Sequence, residues 1–358
     1  MVLVTEMLKL APTQGQAAQL RATMVACNAA ADRVAEVAFE HGTANKIRLQ
    51  QIVYRHLRER FGLSSQMAVR AISKACEAFK RDKAIQPSFR PMGAISYDQR
   101  ILSWKGRDAA SILTLTGRIV VPVVYQGRWL STDGTSLRGA ADLICRDGMW
   151  FLAVVIDVPE PPGGGEPDGW LGVDLGIVNL ATDSDGVAHS GKAMRAVRRR
   201  NVELRRKLQA KGTKSAKRLL RKRRRKEARY ARDVNHCISK TLVGKAQDTR
   251  RGIAVEDLSG IRDRAPVCWA QRADLHSWSF HQLRAFVAYK AAMAAVPVRA
   301  VDPRNTSRSC SVCGHVDKRN RRTRDDFRCV SCGHAQPADI NAARNIAGRA
   351  EVMRPHAA

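Results

Sequence analysis

No apolar run in the sequence approaches the roughly 20 residues of a membrane-spanning helix, so a spanning protein is not expected. Met1 to Pro12 has neither a basic start nor an apolar core, which argues against a secretory leader. Acids are scarce, with 33 Asp plus Glu against 62 Lys plus Arg and a formal net charge of +29. A surplus of that size suits a polyanionic partner, and nucleic acid is the first expectation. No internal repeat of fixed period is present. The nine cysteines are odd in number, and Cys27, Cys76, Cys145, Cys237 and Cys268 are scattered. This usage speaks against a disulfide framework and for metal binding plus reduced thiols, as in a soluble intracellular protein.

What is present is enough for two or three domains, since 44% of the 358 residues are hydrophobic. Val2 to Leu10 reads as a strand, and Thr13 is placed to cap an Ala-rich helix running to about His41. Asn45 to Phe61 and Ser64 to Lys83 carry apolar residues at helical spacing, with Gln66, Arg70 and Lys74 on one polar face at i, i+4 and i+8. From Ala94 to Pro159 the pattern changes to Val-, Ile-, Tyr- and Trp-rich runs such as Ile119–Tyr125 and Met149–Val158. Turns are expected at Asp133-Gly134 and Asp147-Gly148, which together predict a small β-barrel.

Pro159 to Pro167 has linker composition and marks a boundary. Beyond it, Trp170 to Thr182 reads as one buried strand that turns at Asp183 to Gly186 into a second, the opening of an α/β or RNase H-like sheet. Asp183 and Asp185 read as turn residues only. Arg195 to Arg232 is helical with Lys or Arg at nearly every third position, including Arg221, Lys222, Arg223, Arg224 and Arg225. Contact with phosphates competes there with a merely solvated, self-repelling helix.

Cys310-Ser311-Val312-Cys313-Gly314 and Cys329-Val330-Ser331-Cys332-Gly333 are two C-x-x-C knuckles, each closed by glycine. Four thiolates in that pattern suit one tetrahedral Zn²⁺, while the duplication argues against a redox-active pair. Four cysteines already complete such a site, which leaves His315 and His334 as surface residues. Three acids carry the second signal. Asp174 lies in the apolar run Trp170–Gly176, Glu256 ends the apolar Gly252–Val255, and Asp339 precedes a helical segment as a candidate N-cap. A carboxylate in an apolar strand is costly unless paired or bound to a cation. Each acid alone has a bland reading. Together, two strand-borne acids and one helix-borne acid suit a pair of Mg²⁺ or Mn²⁺ ions and phosphodiester hydrolysis. Asp257 is expected on the opposite strand face from Glu256.

Gly172-Val173-Asp174-Leu175-Gly176, Val255-Glu256-Asp257-Leu258, Asn305–Cys310 with both knuckles, and Ala338-Asp339-Ile340-Asn341-Ala342-Ala343-Arg344-Asn345-Ile346 resemble TnpB proteins of insertion sequences. Miniature type V CRISPR effectors are similar. Tyr289-Lys290-Ala291 and Val301-Asp302-Pro303 fit the same resemblance, which runs closely from Trp170 to Gly348. The resemblance implies an α+β multidomain protein. It would have a wedge β-barrel at 1–12 and 90–160, an inserted helical recognition domain at 13–89, and a linker at 161–168. A RuvC-like nuclease domain would follow at 169–304 and 335–350, interrupted by a zinc ribbon at 305–334, with a tail at 351–358.

The implied activity is RNA-guided, Mg²⁺-dependent cleavage of double-stranded DNA beside a short flanking motif by Asp174, Glu256 and Asp339, with structural Zn²⁺ on Cys310, Cys313, Cys329 and Cys332. The setting would be the bacterial cytoplasm and nucleoid. The chain would act as a monomer on its guide RNA, with a dimer as the alternative. Tyr54, Gln66, Arg70, Lys74, Arg221, Arg223, Arg224 and Arg225 are candidate nucleic-acid contacts. A guided DNA-binding protein that does not cut is the competing reading, as is a transposase or resolvase on the same fold. Pro337 departs from the family pattern, which often has an acid there.

Overall fold

A computed structural model describes residues 2–106, 108–124, 137–158, 165–223, 225–258 and 280–353. Arg224, Cys268, the Asp133-Gly134 turn, residues 159–164 of the linker and most of the tail lie outside the described residues. The chain divides into two compact units between Val158 and Pro159.

The first unit opens with β1 (Val2–Leu10), followed by α1 (Gln14–Glu40), α2 (Lys46–Phe61) and α3 (Ser65–Arg81). Each helix start is written locally. Thr13 and Gln16 form a reciprocal capping box, the Asn45 side chain accepts from two backbone N–H groups, and Ser64 accepts from Met67. Six strands follow: β2 (Ile95–Asp98), β3 (Leu102–Lys105), β4 (Ala109–Thr114), β5 (Gly117–Val124), β6 (Leu137–Arg146) and β7 (Met149–Val158).

With β1 they form a seven-stranded sheet of order β2-β6-β7-β1-β5-β4-β3. Its edge strands β2 and β3 are consecutive in sequence. The Tyr97 hydroxyl on β2 donates to the Leu113 carbonyl on β4 at 3.0 Å, so the sheet is nearly closed. The expected Asp147-Gly148 turn joins β6 to β7, with both residues at positive φ. Alternate inward residues such as Tyr97, Ile112, Leu143 and Leu152 share one core with the buried faces of α1 to α3.

The second unit holds β8 (Trp170–Asp174), β9 (Asn179–Asp183), β10 (Ala188–Ser190), α4 (Lys192–Lys211), α5 (Lys214–Arg223), α6 (Lys226–Asp248), β11 (Gly252–Glu256), α7 (Phe280–Met293), β12 (Val298–Val301), β13 (Asp326–Arg328), β14 (Ala335–Pro337) and α8 (Ala338–Val352). Trp170 to Thr182 is therefore two strands, not one. The chain reverses at Leu175 to Val178, where a Cβ on Gly176 would lie 2.6 Å from the Asn179 carbonyl oxygen.

The five-stranded sheet has the order β10-β9-β8-β11-β12, with β8, β11 and β12 parallel, β9 antiparallel to β8 and β10 antiparallel to β9. Parallel strands need helical cover on both faces. On one face Leu171, Val173, Ile253 and Val255 pack with Ile238, Leu242 and Val243 of α6 and Phe280, Leu283 and Val287 of α7. On the other, Trp170, Ala254 and Val301 pack under Ile346 and Ala350 of α8. Gly172 lets α8 lie close, since a Cβ there would sit 1.9 Å from the Ala343 carbonyl oxygen.

Candidate active site and cysteine cluster

The two-residue period of a strand decides which way the acids point. Trp170, Gly172 and Asp174 share the α8 face of β8, and Ala254 and Glu256 share it on β11. The register that sets Gly252 beside Trp170 and Val255 beside Val173 carries Glu256 to the level of Asp174, at the carboxyl ends of two neighbouring parallel strands. Asp339 arrives from above, in the first turn of α8.

It is not the N-cap, contrary to the sequence expectation. Pro337 holds that position, no side chain caps the helix, and the Asp339 carboxylate instead accepts from Asn179 Nδ2 at 2.9 Å. Pro337 belongs to β14, paired with Asp326 across the small hairpin.

Asp174 feels the other two acids. Loss of hydration pushes the Asp174 carboxyl up to about 8, the negative charges of Glu256 and Asp339 push the same way, and Arg321 weakly opposes them. Glu256 is 8% exposed. It is also raised, mainly by burial, against the hydrogen bond donated by Thr306. Carboxylates gathered in this way suit a cation, and hard oxygens are the donors Mg²⁺ and Mn²⁺ take. Among the described residues, however, only the four cysteines bring three or more ligand atoms within 4.8 Å of one another.

That cysteine cluster is close to ligating geometry. Cys310 and Cys332 sulfurs are 3.7 Å apart and those of Cys313 and Cys329 are 3.6 Å apart. A tetrahedron with ~2.3 Å Zn–S bonds has edges of about 3.8 Å. The knuckles are twins. The Gly314 and Gly333 N–H groups return to the Cys310 and Cys329 carbonyls, with both glycines at positive φ. The Cys310 and Cys329 N–H groups donate to the His315 and His334 carbonyls, so these histidines serve through their backbone. Buried Asn320 donates to the Arg308 and His315 carbonyls and accepts from Val330 N–H, tying one knuckle to the other. Chiefly through the Cys332 N–H, the Cys329 thiol is held down to about 6, favouring the thiolate.

Asp183 and Asp185 are more than turn residues. Asp183 is 1% exposed and meets Lys245 Nζ at 2.6 Å, while Asp185 takes Lys245 at 2.8 Å and a two-pronged Arg251 contact at 2.6 and 2.9 Å. These ion pairs clamp the β9–β10 turn to the end of α6. Asp257 pairs with Arg284.

The candidate nucleic-acid contacts divide. Gln66, Arg70 and Lys74 are half-buried rather than a free solvated face. The first two bond Asp98, and Lys74 bonds Asn28 and the Ala94 carbonyl. Gln66 and Arg70 also line a groove of about 570 Å³ with Lys46, Gln50 and Arg100. Tyr54 is half-buried beneath Arg58. Arg221, Arg223 and Arg225 are exposed beside a cleft of about 420 Å³ whose lining includes Leu204, Leu208 and Leu220.

The second unit thus joins a mixed five-stranded sheet, carrying acids at the ends of neighbouring strands, to a four-cysteine module that precedes the helix bearing the last acid. Residues 153–259 match the family described as "Probable transposase" (OrfB_IS605), and residues 280–346 match "Cas12f1-like, TNB domain". A putative RNA-guided DNA endonuclease InsQ of Escherichia coli strain K12 is 26% identical over 310 residues, 78% of this chain and 72% of that one. A TnpB-like protein of Methanocaldococcus jannaschii is 32% identical over 123 residues, covering 34% of this chain and 43% of that one. A CRISPR-associated endodeoxyribonuclease Cas12f1 of Sulfoacidibacillus thermotolerans is 38% identical over 123 residues, 34% of this chain but 28% of that protein.

The chain thus spans well under half the length of the Cas12f1 relatives it matches. Among solved structures, the mini-RNA-guided endonuclease CRISPR-Cas phi3 superposes with a TM-score of 0.57 at 10% identity, over 99% of this chain and 93% of that one, which shows a shared fold. These matches agree with the resemblance of its motifs to TnpB proteins.

Sequence reasoning did not assign roles to Thr306, Asn341, Asn345 or Asn179. Asn341 and Asn345 had a signal, amides one helical turn apart in an otherwise Ala-rich helix. The Thr306 and Asn179 contacts depend on topology.

Proposed function

We propose that this chain is an RNA-guided DNA endonuclease of an insertion sequence, cutting at a RuvC-like site formed by Asp174, Glu256 and Asp339. The observation that carries the proposal is the convergence of these carboxylates on one face of the sheet, with Asp174 pushed up to about 8 by burial and by its two neighbours. The strand order and mixed directions of the second unit support an RNase H-like core. The boundaries support a wedge barrel with an inserted helical domain in the first unit, and a zinc ribbon between β12 and α8.

Asp174 and Glu256 would offer oxygens from the sheet and Asp339 from the helix, its carboxylate steadied by Asn179. Divalent ions held there would neutralise the charge that builds on a phosphodiester during in-line attack by water. The chain's own contribution is a fixed and partly desolvated set of hard donors. Cys310, Cys313, Cys329 and Cys332 would hold Zn²⁺ as a structural ion. The arginines of α4 to α6 would track RNA and heteroduplex phosphates, with sequence read by base pairing.

The test is cleavage of a plasmid library with a guide-matched target beside randomised flanks, by chain co-expressed with RNA from the element's end. Cutting that needs RNA and Mg²⁺, and that falls at least about a thousandfold in Asp174→Ala while RNA binding persists, is expected. RNA-dependent target binding without any cut would overturn the nuclease and favour a guided DNA-binding protein.

A further inference from the structure

Glu256 is held by a neighbour in the Asn305–Cys310 motif, to which the sequence assigned no role. The Thr306 hydroxyl donates to Glu256 Oε1, and the same oxygen lies 3.0 Å from the Pro303 carbonyl. A hydroxyl has one proton, and a carboxylate is the stronger acceptor, so ionised Glu256 takes it. Thr306 is 3% exposed and is itself fixed from α8. Asn345 Nδ2 donates to the Thr306 carbonyl at 2.8 Å and to the Ser309 carbonyl at 2.7 Å. Asn341, fully buried, donates to the same Ser309 carbonyl at 2.8 Å and accepts from the Ser311 N–H inside the first knuckle at 3.0 Å. The strap from Pro303 to Ser311 is thereby pinned along the helix that carries Asp339.

We infer that Thr306 is a positioning residue for Glu256, fixing one of its oxygens so that the other is presented to a divalent cation. The inference rests on the carboxylate-site reading above. Groups that orient a metal's ligands change affinity or activity by ~10- to 100-fold when removed. The hydroxyl, and not the bulk of the side chain, carries the effect.

The experiment measures Mn²⁺ binding by the full-length, zinc-loaded chain free of RNA, using electron paramagnetic resonance, in wild type, Glu256→Gln, Thr306→Val and Thr306→Ser. Thr306→Val is close to isosteric, and zinc content and melting temperature verify that it folds. The expected result is loss of the site in Glu256→Gln, about tenfold or more weaker Mn²⁺ binding in Thr306→Val, and recovery in Thr306→Ser. In the guided cleavage assay Thr306→Val should need more metal while approaching the wild-type rate at saturation. If Glu256→Gln loses Mn²⁺ and Thr306→Val binds it like wild type, the positioning role is overturned alone. If Glu256→Gln also binds Mn²⁺ like wild type, the carboxylate-site reading falls and takes the inference with it.

Discussion

The cysteine cluster and the carboxylate cluster are both sets of metal-type ligands in one unit, yet they are built in opposite ways. Four sulfurs from residues 310–332 stand within 4.8 Å of one another, held by two repeated turns and one asparagine. The acids come from positions 174, 256 and 339, are assembled by strand register and a helix docked over Gly172, and repel one another. A local motif specifies a ligand cage by itself, whereas a site assembled by topology relies on the whole sheet and keeps its charges in tension. The first arrangement suits a structural ion and the second an exchangeable one.

The sharpest way to break this comparison is to remove one cysteine. Cys310→Ser should abolish zinc and cut the soluble yield severalfold, because structural zinc contributes on the order of 10 kcal/mol in small zinc modules. Metal content by mass spectrometry together with a melting curve checks it. A zinc-free variant that melts like wild type would remove the structural assignment.

The second effect has the other sign. In metal-free protein Asp174→Asn should raise the melting temperature, since it deletes the charge the fold resists. Folded Asp174 keeps its proton up to about 8, against an ordinary value of 3.8. Wild-type stability therefore falls as pH rises between those values, and the variant's advantage grows across the same window by several degrees. Saturating Mg²⁺ should erase the advantage in wild type's favour. A melting difference that is flat from pH 4 to 8 would show that the acids are not in tension.

How much of this was legible depends on how far the cause lies along the chain. The knuckles, the cap at Thr13, the helix starts at Asn45 and Ser64, and the Asp147-Gly148 turn are short-range features and could be read directly. The acids could be nominated, since a carboxylate in an apolar strand is conspicuous, but their facing could not, because it follows from parallel register. Trp170 to Thr182 read as one strand because apolar residues run on through Leu175, Ile177, Val178 and Leu180, and the reversal at Gly176 turns on a carbonyl brought close by the fold. Asp339 read as a cap because the motif places it before Ala-rich helix, whereas pairing of β14 with β13 starts the helix at Ala338. Asp183 and Asp185 looked like turn residues because Lys245 and Arg251 lie some sixty residues away in sequence.

That last pair gives the smallest expected effect and a control for the other two, because Asp185 is a carboxylate whose charge the fold favours. Arg251 and, after it, Lys245 hold the Asp185 carboxyl well below its ordinary 3.8. Its side chain is 38% exposed. Solvent screening therefore leaves the interaction at about 0.5–1 kcal/mol. A group whose folded pKa is depressed contributes stability that is fully present above its unfolded value and is lost as pH falls through the folded one. Asp185→Asn should thus lower the melting temperature by ~1–3 °C at pH 7, with the same difference at pH 5 and a narrowing one below 3.8. Asp174→Asn and Asp185→Asn change the same atoms and should move stability in opposite directions with opposite pH dependence. If both lower the melting temperature by a pH-independent amount, carboxylate environment does not separate the Asp174 cluster from the Asp185 clamp.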